Sequence, residues 1–335
     1  MGEQLLNVEN LTVKFHSEDG AFTAVDNLSF DVGKGESVCI VGESGCGKSV
    51  TSLAIMGLLN IPPAEVTGEI GFEGRDLLKL SKDQMRDIRG DRIAMIFQEP
   101  MTSLNPVFTC GYQISEALML HQGMTRAQAK ERSIELLRMV GIPLPEKRFD
   151  DYPHQLSGGL RQRVMISMAL ACNPALLIAD EPTTALDVTI QAQIMQLLRD
   201  LKARLGMALI LITHDMGVVA QMAERVIVMY AGDAVESSDV RTVFKNPLHP
   251  YTLGLLESIP RLESSSDEEL ATIEGTVPGM YDMPKGCKFA PRCQFCSERC
   301  LAERPRPVEV EEGHTVSCFN LDAVRAWLGE EADRG

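Results

Sequence analysis

Eight consecutive residues carry the densest chemistry in this sequence: Gly42, Glu43, Ser44, Gly45, Cys46, Gly47, Lys48 and Ser49. They fit the spacing G-x4-G-K-[ST], with an apolar run at 36–42 before them and a helix-like run at 48–59 after them. Glycines let the backbone curl until successive N–H groups face inward, a shape that suits phosphate oxygens. A helix starting where the curl ends adds partial positive charge. Lys48 is then placed to reach the β- and γ-phosphates of a nucleotide, and Ser49 to ligate magnesium. The competing reading is a glycine-rich turn with an incidental lysine, and it leaves the strand before and the helix after unexplained.

Two further stretches could act on the same ligand. "LLIADE" (176–181) is an apolar run that ends in two carboxylates. Asp180 is assigned to the magnesium ion, and Glu181 to accepting a proton from an attacking water or positioning it. The alternative is a helix-capping pair in "DEPT", with Asp180 as the cap. "LSGGLRQR" (156–163) places Ser157, Gly158 and Gly159 at the start of a helical run, a second anion-binding arrangement. Taken alone, a plain serine cap before a Gly-Gly hinge explains that stretch more simply.

The elements that must position these groups follow from periodicity. Residues 5–15 and 22–32 alternate apolar and polar, as half-buried antiparallel strands do. Residues 36–42, 92–98, 175–182 and 208–215 are short apolar runs that read as buried strands. Residues 48–59 have helical length, and residues 110–172 are mostly helical in pattern. Residues 225–237 read as a late hairpin turning at Gly232 and Asp233. The sum is an α/β core, and polar groups at the carboxyl ends of its parallel strands are where open sheets place ligands. After about residue 245 the texture turns rich in proline and serine, then acidic, and "RLESSSDEEL" (261–270) reads as a linker.

With 335 residues the chain can bury a full core and carry an appendage. Its net charge of −15 argues against a nucleic-acid binder, which needs a basic face, and against adhesion to anionic lipid. No apolar run approaches the ~18 residues that span a bilayer. "MGEQLL" offers neither a secretory leader nor, with Leu6 where Ser or Thr is wanted, a myristoylation motif. A cytosolic protein is expected. Of nine cysteines, Cys39, Cys46, Cys110 and Cys172 are scattered, whereas Cys287, Cys293, Cys296, Cys300 and Cys318 crowd the tail. In a reducing compartment such crowding suggests metal rather than disulfides.

Taken together the motifs resemble the ATP-binding subunit of an ABC transporter. "LSGGLRQR" matches that family's signature motif and begins 20 residues before "LLIADE". Gln98 matches the Q-loop; Thr184, Ala185, Leu186 and Asp187 match the D-loop; His214 in "LITHD" matches the switch histidine. The resemblance covers residues 1 to about 245, in order. It implies a P-loop NTPase of the ABC type: a RecA-like core, an antiparallel β subdomain and a helical subdomain at about 100–172. The nucleotide would be held by residues 42–49 and Val50, with Phe15, or alternatively Phe22, stacked on adenine. Ser49, Gln98 and Asp180 would hold magnesium; Glu181, Gln98 and His214 would serve catalysis. Two such subunits pair head to tail in the family. Ser157, Gly158 and Gly159 would then serve the partner's ATP. Closing would be transmitted to membrane subunits through Gln98 and "EPMTSLNP".

"FQEPMTSLNP" and "NPLHPYTLGLLESIP" narrow the resemblance to the D-type ATPase of dipeptide and oligopeptide importers, of the peptide, opine and nickel subfamily. That implies an F-type ATPase as partner in a heterodimer, two transmembrane permease subunits, an extracytoplasmic solute-binding protein met indirectly, and a peripheral place on the cytoplasmic face of the membrane. Residues 246–335 would be the subfamily's C-terminal extension. Its cysteines are spaced C-x5-C-x2-C-x3-C-x17-C. Four thiolates could hold a [4Fe–4S] cluster or zinc. The resemblance implies Cys287, Cys293, Cys300 and Cys318 around [4Fe–4S]; Cys296 is the alternative ligand. Competing readings are the same motor carrying nickel or another small solute, a soluble ABC ATPase of repair or translation, and an iron–sulfur regulator with a vestigial ATPase. Intact Glu181 argues against the last.

Overall fold

The structure, a computed structural model, describes residues 3–18, 20–99, 103–184, 186–259 and 272–332. Ala185 of the D-loop match, residues 100–102 of "EPMTSLNP" and the expected linker at 261–270 lie outside the described residues. The strands, in chain order, are β1 (Gln4–Ser17), β2 (Gly20–Gly33), β3 (Ser37–Val41), β4 (Ala64–Phe72), β5 (Arg75–Asp76), β6 (Ile93–Ile96), β7 (Leu176–Asp180), β8 (Ala208–Thr213), β9 (Arg225–Tyr230), β10 (Asp233–Asp239), β11 (Val308–Glu311) and β12 (His314–Val316). The chain forms two compact units, one of residues 1–6, 31–37 and 71–212, the other of 7–30, 38–70 and 213–335.

In the first unit β6 runs parallel to β7, from Ile93 beside Leu176 to Ile96 beside Ala179. β7 runs parallel to β8, with Asp180 beside Ile212. Every residue of these strands but the last of β8 is apolar or the terminal Asp180, and all are buried. Strands covered on both faces read as unbroken apolar runs, which is why the sequence announces them. The helical stretch resolves into helices Cys110–Gln122, Arg126–Met139 and Gly158–Ala169 with shorter turns between. Thr109 and Thr125 cap the first two through their hydroxyls, and Gln128 completes a capping box. The buried hydroxyls of Ser115 and Ser133, 2.9 Å apart, join those helices.

In the second unit β2, β1 and β4 are hydrogen-bonded in that order. β3 pairs in parallel with β9, β9 antiparallel with β10, and β10 with β12. The late hairpin turns one residue earlier than the sequence suggests: Tyr230 pairs with Asp233, leaving Ala231 and Gly232 as the loop. Both take positive φ, 47° and 90°. That is the two-residue hairpin geometry matching strand twist, with alanine in the place asparagine usually takes. Tertiary bonds hold it there: the Gly232 N–H donates to the Cys46 carbonyl at 3.0 Å, and its own carbonyl accepts from the Asp26 N–H at 2.9 Å.

Other expectations shift. The helix expected over 48–59 ends at Ile55, because Gly57 enters the left-handed region at φ 59°. The proline-rich stretch after residue 245, read as the start of a linker, holds helix Pro250–Glu257 with Pro250, Tyr251, Thr252 and Leu253 buried. Its proline sits in the first turn, where a missing N–H costs nothing. β4, β5, β11 and β12 were not anticipated; the last three are two, four and three residues long, too short for a period to register.

Candidate active site

β3 delivers the chain into the glycine-rich loop. A Cβ on Gly42 would stand 2.1 Å from the Met229 carbonyl oxygen. Gly47 has φ 98°, and a Cβ there would meet the Ala24 carbonyl at 2.5 Å. Both glycines are therefore required by close backbone approach as well as by the curl. Lys48 is buried and folds back over the loop, its Nζ donating to the carbonyls of Gly42 at 2.8 Å and Glu43 at 2.9 Å. Cys46 lies beneath it, Sγ 3.7 Å from Nζ. Burial pushes that thiol up, with Lys48 opposing. Ser44 and Gly45 are exposed; Ser49 and Val50 are half-buried in the first helical turn. That helix carries no acidic residue in its first turn and no side-chain cap, so its leading N–H groups suit an anion.

The two aromatic candidates come together. Phe15 and Phe22 stack with centroids 5.5 Å apart at 24°. Tyr281, from far along the chain, meets the Phe22 ring edge-on at 5.5 Å, and its hydroxyl lies 2.9 Å from Ser17 Oγ. Sequence reasoning missed it, since no local pattern links residues so distant.

In the first unit Asp180 ends β7 and is only 4% exposed. No helix begins at Asp180, so the capping alternative for it falls away. Glu181 follows with φ 43°, a left-handed backbone that a non-glycine residue holds only when its surroundings impose it. Its N–H donates to the Ile212 carbonyl at 2.9 Å. Its Oε2 accepts from Gln98 Nε2 at 3.0 Å and from Thr184 Oγ1 at 3.0 Å. Sequence reasoning also missed Gln162, buried in the signature helix, whose Nε2 donates to the Pro182 carbonyl at 2.6 Å. Ser157 takes the N-cap position of that helix, yet its side chain makes no capping bond and is exposed. The simple serine cap is thus not what forms. A Cβ on Gly159 would come within 3.0 Å of Ile190 Cγ2. Asp187 caps helix Val188–Leu205 through the Ile190 N–H.

His214 follows β8 and is exposed. Its neighbour Asp215 caps helix Met216–Met222, accepting from Gly217 and Val218.

In the tail Cys287, Cys293, Cys300 and Cys318 line one cavity with His249 and Phe289. Cys296 is exposed and lies outside that lining. Burial pushes the Cys293 thiol up to about 12 and that of Cys318 up to about 11. N–H groups already point at sulfur: Asn320 Nδ2 lies 3.3 Å from Cys300 Sγ, and the Asn320 backbone N–H 3.4 Å from Cys318 Sγ. Among the described residues, no three acidic, imidazole or thiol groups converge as they would on a single metal ion.

Comparison with known proteins gives the family. Residues 25–184 match the ABC transporter family, and residues 235–300 match the oligopeptide/dipeptide transporter C-terminal region. The chain is 52% identical over 319 residues to the dipeptide transport ATP-binding protein DppD of Escherichia coli (strain K12), spanning 95% of this chain and 97% of that protein. It is equally 52% identical over 319 residues to the oligopeptide transport ATP-binding protein OppD of Bacillus subtilis (strain 168), spanning 95% and 89%. The ATP-binding cassette MJ0796, solved as a post-hydrolysis dimer bound to ADP and Pi, has a TM-score of 0.64 at 31% identity, over 71% of this chain and 99% of that one. The chain therefore has the α/β fold of an ABC ATPase cassette, binds ATP, and belongs to the ABC transporter family.

Proposed function

We propose that this chain is the ATP-hydrolysing motor of a peptide importer, coupling ATP + H2O → ADP + phosphate to uptake of di- or oligopeptides through membrane permeases. The observation that carries the hydrolytic part is Glu181, fixed at φ 43° after buried Asp180 and held by Gln98 and Thr184. Residues 42–50 hold the phosphates, with Lys48 on the β- and γ-phosphates and Phe15, stacked on Phe22, facing the base. Ser49, Gln98 and Asp180 are hard oxygen donors of the kind magnesium takes. Bound there, the ion would neutralise charge on the phosphates. Glu181 accepts the proton of the attacking water and His214 assists at the γ-phosphate. The peptide cargo rests on the likeness to DppD and OppD.

The cassette spans residues 1–245, its helical subdomain about 100–172, and residues 246–335 form a C-terminal extension. Two permeases and a related F-type ATPase complete the assembly at the cytoplasmic face of the membrane. No helix among the described residues is long and apolar enough to cross a bilayer. The exposed Ser157 hydroxyl, with Gly158 and Gly159, serves the partner's nucleotide. Native purification from membranes should bring two permeases and a second ATPase; recovery of a soluble monomer alone would favour a non-transport ATPase. In the reconstituted importer Glu181→Gln should stop uptake while ATP stays bound, and unimpaired uptake would overturn the assignment.

We propose that the tail cavity takes a [4Fe–4S] cluster. Its four donors are all thiols, its walls include Phe289, and N–H groups of Asn320 face two of the sulfurs. Cys287, Cys293, Cys300 and Cys318 are the ligands, and the cluster would pin a tail too short to bury a core of its own. Anaerobic purification should give about four iron atoms per chain. Cys296→Ser should keep them and Cys293→Ser lose them. Zinc in place of iron would overturn the cluster.

A further inference from the structure

One residue of the phosphate loop is gripped from outside the loop. Glu43 is fixed at three points. Its carbonyl accepts from Lys48 Nζ at 2.9 Å, within the loop. Its N–H donates to the phenol oxygen of Tyr251 at 2.8 Å. Its carboxylate takes both arms of the Arg292 guanidinium, Nη1 to Oε2 at 2.7 Å and Nη2 to Oε1 at 3.0 Å. Two of these three holds come from residues more than 200 positions away.

Arg292 is built into its place. Its side chain is 4% exposed. Nε donates to the Glu274 carbonyl at 3.0 Å, Nη2 also to the Ile273 carbonyl at 3.1 Å, and Nη1 lies 3.5 Å from the Tyr230 hydroxyl. With the two bonds to Glu43, all five N–H donors have an acceptor. The guanidinium also lies 5.8 Å from the Tyr230 ring centroid and 6.0 Å from that of Phe289. It ends the turn Ala290–Arg292, whose Ala290 N–H bonds to the Cys287 carbonyl and whose Ala290 carbonyl accepts from the Cys293 N–H. Tyr251 is equally fixed: it is fully buried, and its N–H donates to His249 Nδ1. The neighbouring N–H groups of Leu248 and His249 both donate to the buried Glu236 carboxylate.

A forked, charge-assisted pair is stronger and more directional than a neutral bond, and burial of the guanidinium keeps water from competing. A loop held in its binding shape beforehand loses less freedom when phosphate arrives. We propose that Arg292 is a positioning residue for nucleotide binding: from the cysteine-bearing tail it clamps Glu43 and so presets the curl of residues 42–49. This rests on the reading of that curl as the phosphate site.

The test uses the purified full-length chain, a fluorescent ATP analogue with magnesium, and steady-state hydrolysis in the assembled importer. Arg292→Ala should weaken nucleotide binding about tenfold, and the KM for ATP should rise by more than kcat falls. Glu43→Gln should do the same, and the double variant should be no worse than either single one, since both remove one interaction. Arg292→Lys keeps the charge without the fork and should fall between. Lys48→Ala should abolish binding. Should Arg292→Ala unfold the tail, the Glu43 arm decides alone, because it leaves the tail's own bonds in place. Affinities within twofold of the parent for a folded Arg292→Ala or for Glu43→Gln, or additive losses in the double variant, would overturn the clamp while Lys48→Ala still abolishes binding. Retained binding in Lys48→Ala would sink the phosphate-loop reading itself, and the clamp with it.

Discussion

Two glutamates in this chain stand beside candidate ATP-handling groups and are held in different ways. Glu181 accepts from the amide of Gln98 and the hydroxyl of Thr184, both neutral donors. Glu43 takes a guanidinium fork whose own side chain is almost fully buried. A neutral donor orients a carboxylate and leaves it able to take a proton, which a base in hydrolysis needs. A buried fork grips the carboxylate at both oxygens and makes it an anchor. On the proposed mechanism the same side chain is a base in one setting and a fastening in the other, and the donors around it differ accordingly.

The largest effect should come from breaking the reactive one. Glu181→Gln removes the proposed proton acceptor but keeps the shape, and should lower phosphate release by about 10²- to 10⁴-fold with ATP retained. Next is the anchor, where Arg292→Ala shifts affinity rather than chemistry. Stripping the proposed cluster from the tail by anaerobic chelation, read by nucleotide titration, should weaken binding in the same direction, because the turn bearing Arg292 lies between Cys287 and Cys293.

Smaller effects concern stability. Gln162→Ala leaves the Pro182 carbonyl without its buried donor and should cost about 1–3 kcal/mol in thermal or chemical unfolding. His249 sharpens the anchor side through pH. Burial holds its imidazole down to about 4 from 6.5, although nearby Glu236 opposes this. The unfolded chain then binds more protons than the folded one between those values. Stability should be full above about 6.5 and fall as pH drops towards about 4. His249→Asn, which can still accept from Tyr251, should flatten that slope in a pH series of unfolding curves.

How much of this the sequence displays depends on distance along the chain. The phosphate loop, Asp180 with Glu181, and the signature motif are contiguous, and buried parallel strands beside them are plain apolar runs. The fork is a different matter: Arg292 is 249 residues from Glu43, and the sequence holds nothing but an arginine beside a cysteine. Tyr281 on Phe22 and Gln162 under Pro182 were hidden in the same way. The hairpin turn missed by one residue, because bonds from Gly232 to Cys46 and Asp26 outvote local propensity. The tail thiols were visible as a group, and the family resemblance already implied Cys287, Cys293, Cys300 and Cys318; that these four line one cavity and Cys296 does not is a matter of tertiary placement that spacing cannot display.

The most direct measurement takes nucleotide occupancy and phosphate release from one sample of the assembled importer at subsaturating ATP, for Glu181→Gln and Arg292→Ala side by side. The account predicts high occupancy without release in the first, and low occupancy with release reduced in proportion in the second. Release at the parental rate from the Glu181 variant, or parental occupancy in the Arg292 variant, would contradict it.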